Sequence, residues 1–195
     1  MVSKSFSDPG RQGRRYYSLH PSYATRYYWG QVNGLLSPEG LVDLGLRRLD
    51  ELRAPMVMDV DTGTVAADFI WNGYLYPVVS KKVVEILGSK RLTGWSTYHV
   101  KVVLAGKEIA GYHGLAITGR GGLNDPKAYA SGVIKGTRIL NTRGLLPTDW
   151  DGSDLFTLDD APRIALTTER VRAAFREAKV MNCKFEPSED FEFGL

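Results

Sequence analysis

The chain has 195 residues, of which 43% are hydrophobic, 24% are charged and 11% are aromatic, and its formal net charge is +3. This composition is typical of a globular chain and excludes collagen, low-complexity sequence and general disorder. The longest apolar runs are far shorter than the roughly 20 residues that a membrane-spanning helix needs, and the single cysteine, Cys183, excludes an intrachain disulfide and favours the reducing cytoplasm.

The first third of the chain is predicted to contain a tail, short strands and one irregular segment. Residues 1–14 lack periodicity and the apolar core of a signal peptide, which predicts a flexible tail. Aromatic and β-branched residues beside turn signals predict strands at residues 15–19, 26–29 and 66–71, and another that starts at residue 56. Leucines after Ser37 indicate an irregular or short helical segment.

A strand, a helix and a second strand are predicted twice. Ser80 is suited to cap a helix, Val83 and Leu87 lie on one helical face, and Gly88 is placed to end it. The same pattern recurs 88 residues later, and four pairs align without a gap: Ser80 with Thr168, Val83 with Val171, Leu87 with Phe175, and Leu92 with Val180. The sequence therefore predicts two copies of a small strand-helix-strand module, at residues 76–100 and 164–188.

Residues 98–104 and 108–118 predict a β-hairpin that carries two of the three histidines. His99 and His113 face each other if the loop has three residues, and lie on opposite faces if it has two. No third ligand accompanies them, so a structural role is favoured and neither a metal nor a cofactor is predicted. Cys183 lies in an apparent strand after a helix and is predicted to be part of the core.

Residues 119–154 consist largely of turn-forming residues, and long loops of this kind are often functional. Strands and a few helices lie on either side, without a regular alternation of parallel strands and helices. The order of the elements predicts that residues 15–195 form a single α+β domain, with a mixed or antiparallel sheet and a few helices packed on it.

One motif suggests an enzyme. Asp59 and Asp61 follow an apolar run, as do the two aspartates in the strand-end loop of dehalogenase-type phosphatases, where one attacks phosphorus while Mg²⁺ neutralises charge. Gly63 stands where that motif has Thr or Val. A solvated turn is therefore the favoured interpretation, and a Mg²⁺-dependent phosphotransfer enzyme is an alternative hypothesis.

A second alternative is a nucleic-acid-binding protein. Arginines and tyrosines at residues 14–17 and 26–28, followed by Trp29, combine phosphate-binding cations with rings on which bases could stack. Consecutive aromatic residues must face both sides of a strand, so at least half of them are expected in the core.

The chain ends with an acidic part. Residues 149–195 carry 6 basic and 11 acidic side chains, against 19 and 11 in residues 1–148. Residues 149–160 combine large aromatics with carboxylates and contain no Lys or Arg, as expected of aromatic anchors with a charged rim at a protein interface. The predicted partner-binding residues are Asp149, Trp150, Asp151, Asp154, Phe156, Asp159 and Asp160. The alternative is that the aromatics are core and the aspartates cap turns.

Five motifs in this order support a family resemblance: Arg-Tyr-Tyr-x-Leu at 15–19, Val-Val-Ser-Lys-Lys-Val-Val-Glu at 78–85, Gly-Tyr-His-Gly-Leu-Ala-Ile-Thr-Gly-Arg at 111–120, Trp-Asp-Gly-Ser-Asp-Leu-Phe at 150–156 and Thr-Glu-Arg-Val at 168–171. Over about residues 15–190 the chain resembles a family of small bacterial proteins, common in myxobacteria, that are immunity proteins of polymorphic toxin systems. Gly121-Gly122 stands where many relatives have Cys-Gly.

The resemblance implies an α+β protein that binds and silences a cognate toxin, encoded by a neighbouring gene, and it supplies no catalytic signature. We therefore expect a cytoplasmic immunity protein that is not an enzyme and that acts by stoichiometric protein-protein interaction. Neither a membrane nor a nucleic acid is expected as its partner.

Overall fold

Strands are more extensive than helices in the described backbone, and two helices pack on the sheets, so the predicted α+β class is confirmed. The structure is a computed structural model that describes residues 15–33, 56–72, 77–125, 129–134, 137–190 and 192–193. The predicted tail at residues 1–14 and the segment after Ser37 lie outside the described residues. Neither helix in the described ranges is long and apolar enough to cross a membrane.

The strands of the described ranges are arranged in four sheets. In chain order the strands are β1 (Tyr16–His20), β2 (Trp29–Asn33), β3 (Met56–Thr62), β4 (Phe69–Ile70), β5 (Val78–Ser80), β6 (Trp95–Tyr98), β7 (Val100–Leu104), β8 (Lys107–Ile109), β9 (Tyr112–Ile117), β10 (Gly119–Arg120), β11 (Tyr129–Ile134), β12 (Thr137–Arg143), β13 (Leu155–Thr157), β14 (Ala165–Thr168), β15 (Lys184–Pro187) and β16 (Glu192–Phe193). The helices are α1 (Lys81–Ser89) and α2 (Glu169–Glu177), and Ser188–Asp190 form a 3₁₀ turn.

Two of the sheets hold the helices and share one layout. The first has the order β4-β5-β9-β6, and the second has the order β13-β14-β1-β15 with β10 added beside β13. In each, a central strand pairs antiparallel with the strand that leads into the helix and with the strand that follows it. The other two sheets are β2-β3-β7-β8 and β11-β12-β16.

The residue pairing repeats together with the order of the elements. At three places a cross-strand pair of the first half corresponds to a pair of the second half. Val79–His113 corresponds to Thr167–Tyr17, Phe69–Val79 corresponds to Leu155–Thr167, and Ser96–Ala116 corresponds to Lys184–His20. In the first half the central strand, β9, follows its helix, whereas the second half uses β1 from the beginning of the chain. The two halves are thus equivalent in strand pairing but circularly permuted in sequence.

The helices also end in the same way. One residue after each helix cap, Arg91 and Lys179 both have a φ of 51°. The next amide in each half closes the same turn: the N–H of Leu92 donates to the carbonyl of Leu87, and that of Val180 donates to the carbonyl of Phe175, at 2.9 Å in both cases. This pattern satisfies carbonyl groups that a helix C-terminus leaves unpaired.

One cluster of buried side chains joins the two halves. The first half contributes Phe69, Trp71, Val79, Val83, Leu87, Leu92, Leu115 and Ile117 to this cluster. The second half contributes Leu19, Leu155, Ala165, Val171, Ala174 and Phe175. The helices contribute the apolar faces that the sequence predicts, since Val83 and Leu87 are buried in α1 and Val171 and Phe175 in α2. The two modules therefore share a core.

Several sequence predictions need correction. Residues 119–154, predicted as a long loop, contain β10 and the antiparallel pair β11 and β12. The second strand begins at Trp29 rather than at residue 26, and the strand predicted at residues 66–71 is limited to Phe69–Ile70. The hairpin predicted over residues 98–118 is shorter, because β7 pairs with β8 across a turn at Ala105 and Gly106, and β9 then joins a different sheet. Gly111, with a φ of 86°, lies where the chain changes sheets.

Candidate functional site

The acidic segment at residues 149–160 is partly interior. Phe156 on β13 is fully buried, and its ring meets those of Tyr16 and Trp150 at centroid distances of 5.3 and 6.0 Å. Trp150 is half-buried, and its indole N–H donates to the carbonyl of Ser153 at 2.9 Å. Phe156 forms a buried cluster with Leu145, Leu158 and Leu166, and Tyr16 and Trp150 pack against this cluster. The expectation that Phe156 anchors a partner is therefore corrected: it belongs to the core.

Asp154 is buried as well, with its side chain 4% exposed. Its Oδ1 accepts a hydrogen bond from the hydroxyl of Thr168 at 2.8 Å, and its Oδ2 accepts bonds from the guanidinium of Arg170 at 2.8 Å and from the amide of Thr93 at 3.0 Å. These donors satisfy a buried charge that would otherwise be costly. Asp154 is thus closed to a partner and connects the start of α2 to the turn after α1.

The first half contains the same arrangement around Asp68. Its Oδ1 accepts from the hydroxyl of Ser80 at 2.8 Å, and its Oδ2 accepts from the ammonium of Lys82 at 3.0 Å and the amide of Met181 at 2.8 Å. Ser80, Lys82 and Thr93 precede Thr168, Arg170 and Met181 by 88 residues each. Each buried aspartate therefore ties the helix start of one module to the loop after the other helix.

The other four aspartates of the segment, Asp149, Asp151, Asp159 and Asp160, are exposed. Two of them organise nearby backbone: Asp151 accepts a hydrogen bond from the amide of Arg120 at 2.8 Å, and Asp160 accepts one from the amide of Asn124 at 2.9 Å. They hold local structure, as the alternative interpretation of this segment expected, and keep their charges at the surface.

Two exposed leucines, which the sequence analysis did not single out, lie among these carboxylates. Leu123 is 58% exposed and Leu146 is 38% exposed. They stand on two antiparallel segments bridged at Asn124 and Pro147, both of which point inward. The N–H of Asp149 donates to the carbonyl of Gly121 at 3.0 Å, and that of Asp159 donates to the carbonyl of Gly122 at 2.8 Å, so the carboxylates border the leucines. We call Leu123, Leu146, Asp149, Asp159 and Asp160 the acidic face.

The two aspartates of the suggested enzyme motif both lie on β3. Asp59 lies in the middle of β3, paired with Gln31 on β2 and Val103 on β7. Asp61 is exposed near the end of the same strand. Gly63 has a steric role, because a Cβ at this position would come within 2.2 Å of the carbonyl oxygen of Tyr27. Among the described residues, no three metal-ligating side chains come together.

The aromatic residues at the beginning of the chain contribute mainly to packing. Tyr17 is 5% exposed, and the guanidinium of Arg172 stacks 4.3 Å above its ring. Tyr16 packs on Trp150 at 5.4 Å. Arg26 is exposed and donates to the hydroxyl of Tyr27 at 2.8 Å. Tyr17 is the ring in this group that is buried, while Tyr16, Tyr28 and Trp29 are half-buried and pack against core clusters, so most of these rings contribute to packing.

The two histidines of the predicted hairpin lie at one end of a sheet. The pairing of Tyr98 with Gly114 is the last between β6 and β9, so exposed His99 is one residue beyond the ladder, level with His113. His113 is half-buried on β9 and paired with Val79.

A cavity of about 570 Å³ opens between α2 and β15. It is lined by His20, Phe175, Arg176, Lys179, Val180, Cys183, Lys184, Phe185, Glu186 and Pro187. The thiol of Cys183 lies 3.8 Å from the carbonyl of Val180, and burial raises its pKa to about 12. Cys183 is thus at the edge of the core and is not activated as a nucleophile.

A comparison of the chain with protein-family models found no match, and a comparison with curated proteins found none either.

Proposed function

We propose that the protein is a cytoplasmic immunity protein that binds a cognate bacterial toxin stoichiometrically and blocks it. The observation that carries this proposal is the acidic face, where two exposed leucines lie among exposed carboxylates. An apolar centre with a charged rim is the usual build of a protein-binding surface. The five short motifs that resemble immunity proteins support the same class of function.

Arg120 pairs with Asp159 at 3.2 Å, and the three carboxylates still leave this face with a net negative charge, which favours a basic partner. Toxins that attack nucleic acids carry positive charge around their active sites, because they must bind phosphates. Carboxylates at the rim accelerate association with such a surface, while the leucines, once buried in the partner, slow dissociation. The protein would thus cover the site at which the toxin binds its substrate.

The proposal is tested by co-expression with the protein encoded immediately upstream. We expect a one-to-one complex and protection of the host cell. Leu123→Arg and Leu146→Arg should each weaken the complex by about 2 kcal/mol or more, because a cation replaces an apolar contact facing a basic partner. Val65→Arg is the matched control, since Val65 is 40% exposed on another part of the surface.

The role of charge is tested separately. Asp149→Lys should lower the association rate and the salt dependence of binding, with little change in stability, because Asp149 is exposed. Glu108→Lys on exposed β8 is the control of equal charge change. Equal binding by the wild type and the three variants at residues 123, 146 and 149 would place the interface elsewhere.

A further inference from the structure

The residues that line the cavity beside α2 differ from those at the equivalent positions in the first half of the molecule. In that half the residue equivalent to Cys183 is Trp95, whose indole packs on the shared core. The indole N–H of Trp95 donates to the carbonyl of Leu92 at 2.7 Å, and the thiol of Cys183 points to the equivalent carbonyl of Val180. A thiol is much smaller than an indole, so the second half has open space beside its helix.

The rim of the cavity is basic. Arg176, Lys179 and Lys184 line it, and none of them forms an ion pair with another described residue. Two of these cations are specific to the second half, since Gly88 and Ser96 occupy the equivalent positions in the first. Glu186 also lines the cavity and adds one negative charge, and the C-terminus of α2 adds about half of one, so the three positive charges still exceed the negative charge at the rim.

The wall behind the rim is apolar and aromatic. Phe175 and Phe185 meet edge to face at a centroid distance of 6.0 Å, beside Val180 and Cys183. One polar atom in this wall is unsatisfied: the ring Nε2 of His20 is buried and has no hydrogen-bond partner, although the carboxylate of Glu186 lies 3.5 Å away. Its Nδ1 lies 3.2 Å from the carbonyl of Pro21.

We propose that this cavity binds a small aromatic anion. The ring of the ligand takes the place that the Trp95 indole has in the first half, between the helix and the strand that follows it. The anionic group lies at Arg176, Lys179 and Lys184, where it gains charge-assisted hydrogen bonds. The volume of about 570 Å³ is within the range of ligand pockets, about 300–1,000 Å³. The site is separate from the acidic face and does not depend on the toxin.

The first test is calorimetric titration of the full chain with indole-3-propionate, an indole that carries a carboxylate. We expect saturable binding at one site, with at least a tenfold weaker interaction for indole, which lacks the charge, and for propionate, which lacks the ring. Absence of saturable binding by indole-3-propionate would overturn the proposal.

Variants locate the site. Cys183→Trp restores the residue of the first half and should abolish binding while the chain remains folded. Arg176→Gln combined with Lys184→Gln should weaken binding of indole-3-propionate at least tenfold and leave binding of indole unchanged. Lys101→Gln combined with Lys107→Gln is the control, since both residues are exposed on a different sheet.

The proposal does not depend on one variant. If Cys183→Trp does not fold, the double variant at residues 176 and 184 decides, together with the sites of NMR shift changes upon titration. Shifts confined to residues outside α2 and β15, or unchanged affinity in the double variant, would contradict the site. Failure of toxin binding, by contrast, leaves these measurements unaffected.

Discussion

At the scale of single residues, the buried aspartates are expected to be the most sensitive polar positions. Asp154→Asn replaces a carboxylate that accepts from Thr168, Arg170 and Thr93. The free energy of unfolding should fall by about 1–3 kcal/mol, because hydrogen bonds to a buried charged group weaken and polar partners are left unsatisfied. Asp68→Asn should have a similar effect. Urea unfolding measures both.

The control for these variants is Asp159→Asn, whose side chain is 47% exposed and paired with Arg120 at 3.2 Å. Its effect should remain within about 0.5 kcal/mol, as is usual for surface positions. A stability of the Asp154 and Asp68 variants equal to that of the Asp159 variant would show that the two networks contribute little.

The thiol of Cys183 gives a prediction about pH. Burial raises its pKa from 9.0 to about 12, so the folded state favours the neutral thiol. At pH 8 about one thiol in ten thousand is ionised in the folded chain, against about one in ten at the ordinary value. Alkylation by iodoacetamide at pH 8 should therefore be at least about 100-fold slower in the native protein than in urea.

The same shift has a defined sign for stability. Because the folded pKa lies above the unfolded value, the contribution of Cys183 is complete below pH 9 and is lost as the pH rises from 9 towards 12. The stability difference between the wild type and Cys183→Ala should decrease over this window and be constant below it. A difference that grows above pH 9 would contradict the assignment.

In the acidic segment, the sequence alone does not show which side chains face the core and which face the solvent. The concentration of carboxylates in this segment was evident, and four of the five are exposed. Whether one aspartate faces inward depends on donors that are distant in sequence: Thr93 lies 61 residues before Asp154. Leu145 and Leu146 show the same limit, since neighbouring leucines in an extended segment must face opposite sides, and only the fold decides which is exposed.

At the scale of the elements, the turn after α1 offers a test of backbone strain. Arg91 has a φ of 51°, a left-handed conformation that an L-residue with a Cβ adopts at a cost of about 1–2 kcal/mol. Arg91→Gly should raise the free energy of unfolding by about 0.5–1 kcal/mol, since glycine removes this cost but loses more chain entropy on folding. Chemical unfolding measures the change.

Glu85→Gly, in the exposed middle of α1, is the opposing control and should lower stability by about 1 kcal/mol. Destabilisation by both glycine substitutions would mean that the side chain of Arg91 contributes more than its backbone conformation costs.

The helices were predictable because their signal is local. An apolar face recurs within ten residues, and both predicted helices lie where the structure has them. The predicted end signals of α1 were wrong: Gly88 lies inside α1, which ends at Ser89, and the side chain of Ser80 makes no capping hydrogen bond but donates to Asp68. The hairpin over residues 98–118 was only partly predictable, because the alternation of apolar residues does not reveal which sheet a strand joins. The chain leaves one sheet for the other at Gly111, and the partners of β9 are β5 and β6.

At the scale of the whole molecule, the 88-residue offset revealed the repeated strand-helix-strand module but not the central strand that each module pairs with. The two central strands, β9 and β1, resemble each other only in short stretches, Tyr-His-Gly-Leu at 112–115 and Tyr-Tyr-Ser-Leu at 16–19. In the chain, β9 follows the module that it completes, whereas β1 precedes its module. A gapless comparison of sequence segments cannot detect this permutation, whereas the equivalent strand registers make it evident.

The shared core leads to a prediction about cooperativity. Leu19 on β1 and Leu115 on β9 are equivalent in register and both are buried in the cluster that joins the halves. Each substitution to alanine should lower the free energy of unfolding by about 2–5 kcal/mol, through lost apolar burial and the cavity left behind. Because both leucines belong to one core, each variant should unfold in a single transition with an unchanged denaturant slope. Val65→Ala, at an exposed position, should change stability by less than about 0.5 kcal/mol. Two separate transitions in either leucine variant, with one half unfolding first, would show that the modules are independent domains and that the aspartate networks between them do not couple their folding.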